Sequence, residues 1–311
     1  MTRLLAFRLL QAGLVALLVG GLTFLFMNLL PGDAAYRIAA GRYGYDLVDT
    51  AAAEAVRAEL NLDQPLLWRF CAWIGDLLTL DLGHSLVSGK PVMDVVAHEL
   101  GSSIRLAIGA VCLSLLLGPP LGVMAGLRPG RLLDRGLLVL TTAIRALPQF
   151  VLGVIFVLLF AISWQLFPAA GHGTFWHSVL PTLTLALGLA AVSSRVARDA
   201  TVEVATSAYY RFGRLKGLRG AGVFLRHGLR NIGVPVVTYL GVQLVYLIEG
   251  VVVVETLFAW PGIGHGLVHA IVQRDVPMVQ GTALAMGLLF VILNTLVDLA
   301  NHLIDPRGRA S

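Results

Sequence analysis

RDATVEVATSAYYRFGRLKGLRGAGVFLRHGLRNIGVPVV, residues 198–237, is a basic segment between two long apolar runs, too long and too patterned to be a mere connector. Ser207 is placed to cap a helix N-terminus, where a short hydroxyl accepts from the first free N–H groups. Gly217 is placed just past a C-terminus, where the chain turns left-handed. A helix is therefore expected over Ala208–Lys216, with Tyr209, Tyr210 and Phe212 as aromatic contact area and Arg211, Arg214 and Lys216 as charge. A second basic amphipathic helix is expected near 219–230, leading to Pro235. Two roles suit a short helix of this composition: docking into a groove on another protein, or lying on anionic lipid.

The rest of the chain says what surrounds this segment. Of 311 residues, 57% are hydrophobic and 13% charged, against about 25% charged in a soluble domain. The solvent implied is a membrane. The net charge of +5 does not point to nucleic acid, because the basic residues lie between apolar runs and form no stripe on a polar domain. A spanning helix needs about 20 apolar residues. Six stretches qualify, near 9–30, 104–126, 136–162, 178–197, 233–256 and 279–303. The first is too long for the apolar core of a signal peptide and ends at Pro31-Gly32-Asp33 without a small-residue cleavage site, so an uncleaved first span is expected. Between the first two spans lies a polar segment, 31–103. It contains an amphipathic helix, a Pro-broken turn, and Trp68, Trp73 and Leu77, which are able to lay it against the membrane surface.

Short cytoplasmic loops carry the Lys and Arg excess. With the N-terminus inside, fifteen of the 23 basic residues fall on the inside and six outside, while 31–103 carries ten acids. Both termini are expected in the cytoplasm and 31–103 outside. The stretch LFAWPGIGHG, 257–266, then also lies outside. Its alternating Gly262, Gly264 and Gly266 follow a membrane helix and not a strand, which excludes a dinucleotide loop. The expectation is that Pro261 stops the helix and the glycines permit a tight re-entrant turn.

Catalytic patterns are missing. The chain has no G-x-x-x-x-G-K-[ST], no H-E-x-x-H and no G-x-S-x-G. Cys71 and Cys112 fit no metal spacing and are expected in different environments, without a disulfide. His265 and His269 stand at i, i+4 but lack a third ligand nearby in sequence. No catalytic residue, no metal site and no cofactor of the chain's own is expected, and transport is favoured over enzymology.

The loop spelling AYYRFGRLKGL…FLRHGLRNIGVPVVTYLG resembles the cytoplasmic coupling loop of binding-protein-dependent ABC importer permeases, in the dipeptide, oligopeptide and nickel branch, first permease subunit. Further matches run in order along almost the whole chain: LPGDAA, LNLDQPLLWRF, LDLGHSL, PVMDVV, LPQF, VVVVETLFAWPGIG, AIVQRDVPMVQG and NTLVDLANHLIDPRGR. The resemblance implies an all-α polytopic fold of type I permease class with six transmembrane helices. Residues 1–103 would be an N-terminal span plus extracytoplasmic segment, and 104–311 a five-helix core with coupling loop 198–234. By this resemblance Gly217 matches the loop's signature glycine, and Tyr209, Tyr210, Arg211, Phe212, Gly213, Arg214, Lys216, Gly217 and Leu218 form the ATPase-coupling segment. Arg211, Phe212 and Gly213 stand where the broader signature has Glu-Ala-Ala. The implied setting is the bacterial inner membrane. The implied partners are a second homologous permease, two ABC ATPases carrying ATP-Mg, an extracytoplasmic solute-binding protein and membrane lipid.

Ionisable residues inside spans are functional candidates. Arg145 lies within the third span and Glu249 in the outer half of the fifth. With Gln149 of LPQF they are the candidate lining of a translocation path, Arg145 suited to a carboxylate and Glu249 to an amine or cation. A structural ion pair between the two is the plainer alternative. Short peptides are the expected cargo, with nickel or a chelated metal as the alternative. An ion-coupled secondary transporter is the competing class, and it would leave the long docking-type loop without a role.

Overall fold

The computed structural model describes residues 2–29, 32–44, 48–59, 63–79, 81–215, 224 and 228–304. Among these the chain is helical throughout, and the only extended pairing is an isolated antiparallel bridge between His84 and Pro91. Helix is what a bilayer demands, since no water is present to satisfy backbone N–H and C=O groups. The helices are α1 (Thr2–Leu29), α2 (Ala34–Tyr43), α3 (Thr50–Glu59), α4 (Leu66–Leu78), α5 (Val92–Gly126), α6 (Leu132–Ala146), α7 (Gln149–Phe156, continued by a π-helical turn Val157–Ser163), α8 (Phe175–Thr206), α9 (Ala208–Leu215), α10 (Leu229–Leu257), α11 (Ile263–Gln273) and α12 (Val276–Ile304).

Among the described residues four are long and apolar enough to cross a membrane: the Phe7–Phe26 part of α1, α5, α8 and the Val276–Leu299 part of α12. The stretch 136–162, expected as one span, is built from α6 and α7, which meet at 104°. The reason is local. Leu147 precedes Pro148, and a residue before proline is pushed out of the helical region. Leu147 accordingly sits at φ −89, ψ 131. Counted as one, the bent pair makes a fifth span. The stretch 233–256 lies in α10, whose part Asn231–Leu244 is a shorter apolar helix.

The chain forms two compact units. One comprises Met1–Ser103 and Pro261–Ile292. In it α2 and α3 pack through Ile38, Ala39, Ala53 and Val56. Phe24 of α1 meets Phe70 and Trp73 of α4 at ring-centroid distances of 5.3 and 6.2 Å, and the Trp73 indole lies over Gly20. Trp73 is thus bound to α1, Leu77 is half-buried, and Trp68 is exposed. The buried Asp275 organises the rest. Its carboxylate accepts from the Ser85 hydroxyl, from the backbone N–H groups of Leu86 (3.0 Å) and Val87 (3.4 Å), and from Met278 N–H at the start of α12 (3.4 Å). Beside it Arg274 ends α11 at φ 55 and donates to the Gly32 carbonyl at 3.1 Å. LPGDAA, LDLGHSL and AIVQRDVP therefore meet in space.

The turn expected at the glycines of 257–266 falls earlier. The left-handed residue is Ala259, at φ 47, and Gly262 is extended and opens α11. Gly264 and Gly266 are helical. Gly266 matters because any side chain there would strike the Glu99 carboxylate.

The other unit comprises Ile104–Trp260 and Leu293–Ser311. Its core gathers Leu106, Leu152, Phe156, Leu185, Val251 and Phe258 from α5, α7, α8, α10 and the turn after α10. Gly118, Gly122 and Gly126 form one stripe on α5 and abut the backbone of α8. A Cβ at 118 would lie 2.8 Å from the Ala190 carbonyl, one at 126 would lie 2.6 Å from the Arg198 carbonyl, and one at 122 would strike the Ser194 carbonyl. This is the small-residue contact by which membrane helices approach closely. Below it Asp134 of α6, buried, accepts from Arg198 Nε and Nη2 at 2.9 Å each and from Gly130 N–H at 2.8 Å.

Gly122→Ala is expected to destabilise this unit by about 1–3 kcal/mol through overpacking. Gly136→Ala, on α6 with nothing within 4 Å of the new methyl, is expected to be neutral or to stabilise by up to about 1 kcal/mol. Thermal unfolding of the two purified variants in one detergent checks this, and equal midpoints would refute the close contact.

Candidate functional site

The break between α6 and α7 gathers polar side chains within the Ile104–Trp260 unit. Pro148 has no N–H and begins α7. The last carbonyls of α6 and the first N–H groups of α7 therefore converge on one place, giving a partial negative and a partial positive end side by side. A cavity of about 350 Å³ opens there. Ile144, Arg145 and Leu147 line it from α6 and Gln149 and Leu152 from α7. Gly188 and Leu189 of α8, and Tyr239, Gln243 and Leu247 of α10, close it. Arg145, in the last turn of α6, has its cation at the favourable end of the helix dipole.

Gln149 is held by an absence of side chains. Its amide nitrogen lies 3.3 Å from where a Cβ of Gly188 would be, and its carboxamide fills the place of a Cβ at Gly250. Arg145 and Gln149, expected on a path, thus share one cavity. Glu249 is in α10 next to Gly250, but its side chain lies outside the described residues. Tyr239 and Gln243 were not singled out in the sequence. Their four-residue spacing on an apolar helix, continued to Leu247, is the signal that was there to read. One guanidinium, two carboxamides and a phenol offer charge and hydrogen bonds suited to a polar solute. They contain no nucleophile–base pair, and among the described residues no three His, Cys, Asp or Glu gather as metal ligands.

The docking-type helix exists as α9, Ala208–Leu215. Ser207 does cap it, its Oγ accepting from Tyr210 N–H at 3.4 Å. The aromatics divide in role. Tyr210, 8% exposed, packs with Ala197, Val204, Ile232 and Val236 of α8 and α10, so it anchors the helix. Tyr209 and Phe212, the latter 57% exposed, face outward. Arg211, Gly213 and Arg214 belong to α9, with the two arginine side chains outside the described residues, as are Lys216, Gly217 and Leu218 and eight of the twelve residues of the second basic helix expected near 219–230.

In the unit that includes α11, His265 and His269 do share a face, with ring centroids 4.4 Å apart. Burial, and then the neighbouring His269, hold the His265 imidazole below its ordinary value, which keeps it neutral near pH 7. Cys71 and Cys112 are both free and exposed.

Residues 118–310 match the family described as binding-protein-dependent transport system inner membrane component. The chain is 38% identical over 293 residues to a glutathione transport system permease protein of Pectobacterium atrosepticum, covering 94% of each chain. To the protein of that name in Escherichia coli K12 it is 36% identical over 292 residues, again with 94% of each covered. It is also 36% identical over 310 residues to a probable peptide ABC transporter permease protein of Sinorhizobium fredii, covering 97% of each.

The fit between Gln149 and Gly250 makes a testable pair. Gly250→Ala alone is expected to lower stability by about 1–3 kcal/mol. In the double variant with Gln149→Ala most of that loss is expected to return, giving a coupling of roughly 0.5–3 kcal/mol in a double-mutant cycle read by thermal unfolding. Additive effects would mean that the two residues do not touch.

Proposed function

The chain belongs to the binding-protein-dependent transport system inner membrane component family, and from that premise we propose that it is one permease of an ATP-driven importer of short peptides. The observation that carries the cargo class is the cavity at the broken span. Arg145 and the convergent N–H groups of α7 suit a carboxylate, while Gln149, Gln243 and Tyr239 suit amide and carboxylate oxygens. Glu249, next in sequence to the glycine that seats Gln149, is the residue we assign to supply the opposite charge for an amine. Relatives named for glutathione and for peptides are consistent with a small solute bearing both charges.

The finer architecture belongs to the same proposal. The chain crosses the inner membrane six times, the bent pair counting once and α10 supplying the fifth crossing, with both termini in the cytoplasm. Residues 1–103 with the first span, and 104–311 with the coupling loop, are its two sequence divisions. The motifs tied together by Asp275 and Arg274 form one outward face for the solute-binding protein. In the cytoplasm α9, anchored by Tyr210, presents Tyr209 and Phe212 to an ATPase, with the segment through Gly217 and Leu218 completing the contact. A second permease pairs with this one, and two ATPases carry the ATP-Mg. Catalysis is theirs and the cavity only binds and releases. Support for this face comes from the burial pattern of α9, because an aromatic left exposed beside a buried one is what a docking helix requires.

The test is made on the complex purified from its own membranes and on peptide uptake by cells. Arg145→Ala and Glu249→Gln are expected to lower uptake of a labelled tripeptide about tenfold or more, with all subunits still co-purifying. Phe212→Ala together with Gly217→Asp is expected to lose the ATPase from the purified complex. Uptake unchanged in both cavity variants would overturn the path, and an ATPase retained by the loop variant would overturn the docking face. Uptake driven by a proton or sodium gradient without ATP would overturn the reading as a whole.

A further inference from the structure

The turn between α5 and α6 contains a second, larger cavity, of about 760 Å³, separate from the broken-span cavity. Arg128, Arg131 and Arg135 line it together with Met124, Leu127 and Leu132. The turn is firmly built. Gly130, at φ 79, gives its N–H to Asp134, whose carboxylate is buried and gripped by Nε and Nη2 of Arg198. Asp134 is therefore committed inward, and the three arginines share the cavity wall with no acid among its lining residues. Leu132 is 89% exposed and Met124 and Leu127 are exposed as well. Apolar side chains this open, beside three guanidiniums, are unusual on a surface facing water.

Position resolves the mixture. α5 is long and apolar enough to span, and α6 opens the bent pair that is so when its two helices are taken together. A short turn joining two such elements lies at the edge of the bilayer, where hydrocarbon meets headgroups. A ligand for this wall must carry a phosphate-like charge on one side and hydrocarbon on the other. A soluble phosphate would leave the apolar wall unused, and an acidic protein surface would leave Leu132 in water. Basic pockets at the cytoplasmic ends of membrane helices are suited to anionic headgroups. We propose that the α5–α6 turn is a binding site for an anionic phospholipid, its phosphate among Arg128, Arg131 and Arg135 and its chains along Met124, Leu127 and Leu132.

The bound lipid fixes the start of α6, the arm whose other end forms the break at Leu147–Pro148 and carries Arg145. The site stands on its own residues and does not depend on what the importer carries.

Native mass spectrometry of the whole purified complex, delipidated and then titrated, tests the proposal with phosphatidylglycerol as probe, phosphatidylcholine as the neutral control and glycerol 3-phosphate as the soluble competitor. Replacing all three arginines, Arg128→Gln, Arg131→Gln and Arg135→Gln, is expected to weaken phosphatidylglycerol binding on the order of tenfold or more and to leave phosphatidylcholine unchanged. Leu132→Gln is expected to weaken phosphatidylglycerol severalfold with the arginines intact. Equal phosphatidylglycerol retention in the triple variant overturns the site. Displacement of the lipid by millimolar glycerol 3-phosphate overturns the lipid assignment in favour of a free phosphate. Loss of an ATPase subunit from the triple variant, with lipid retained, overturns it in favour of a protein contact.

Discussion

The backbone contact between α5 and α8 is the constraint from which the second unit is built. Inside a bilayer apolar side chains gain nothing by leaving lipid for each other, so helices hold together by close approach and by polar contacts. Gly118, Gly122 and Gly126 remove every side chain from one stripe of α5, and the carbonyls of Ala190, Ser194 and Arg198 come up against it. That seats α8 in register. Arg198 is then delivered to Asp134, and the ion pair fixes where α6 begins. On another face of α8, Gly188 leaves the room that Gln149 occupies. A contact without side chains thus decides where the charged and polar ones go.

Irregular backbone at membrane depth survives only where protein or a water-lined space satisfies it. The break at Leu147–Pro148 is in keeping with this rule, since its loose ends border the cavity that Arg145, Gln149, Tyr239 and Gln243 help to line. The π-helical turn that follows, Val157–Ser163, stays within the helical hydrogen-bond economy and is closed by Trp164 N–H to the Leu159 carbonyl at 3.0 Å. Prolines inside α5, α8 and α10 leave those helices continuous, so proline alone does not make a break. The extended Leu147 before Pro148 does.

How far the sequence is legible follows the range of each interaction. The cap at Ser207, the helix that follows it and the family likeness carried by the motifs are local, and the structure and the relatives agree with them. The bend at Leu147 is not marked by hydropathy, because the apolar run 136–162 continues through it. The Asp134–Arg198 pair joins residues 64 apart, and nothing at either position announces the other. The glycine stripe was legible as G-x-x-x-G-x-x-x-G but reads first as three weak helix positions. At 257–266 the alternating glycines drew the turn to themselves, while packing placed the left-handed residue at Ala259. Likewise three aromatics in α9 look alike on paper, and only the neighbours supplied by α8 and α10 make Tyr210 a core residue.

The contrast between α1 and α8 has a consequence for how the molecule is made. The spanning part of α1 has 11% of its length buried, so most of its surface is apolar and open to lipid. Such a helix is stable as a solitary passenger and can leave the insertion machinery the moment it is synthesised. The corresponding part of α8 is 61% buried, with Ser193 and Ser194 inside and Arg198 waiting for its acid. Alone in lipid it would be an expensive guest. Its two partners, the glycine stripe and Asp134, both emerge from the ribosome before it. The order of segments along the chain is therefore also a workable schedule for entering the membrane.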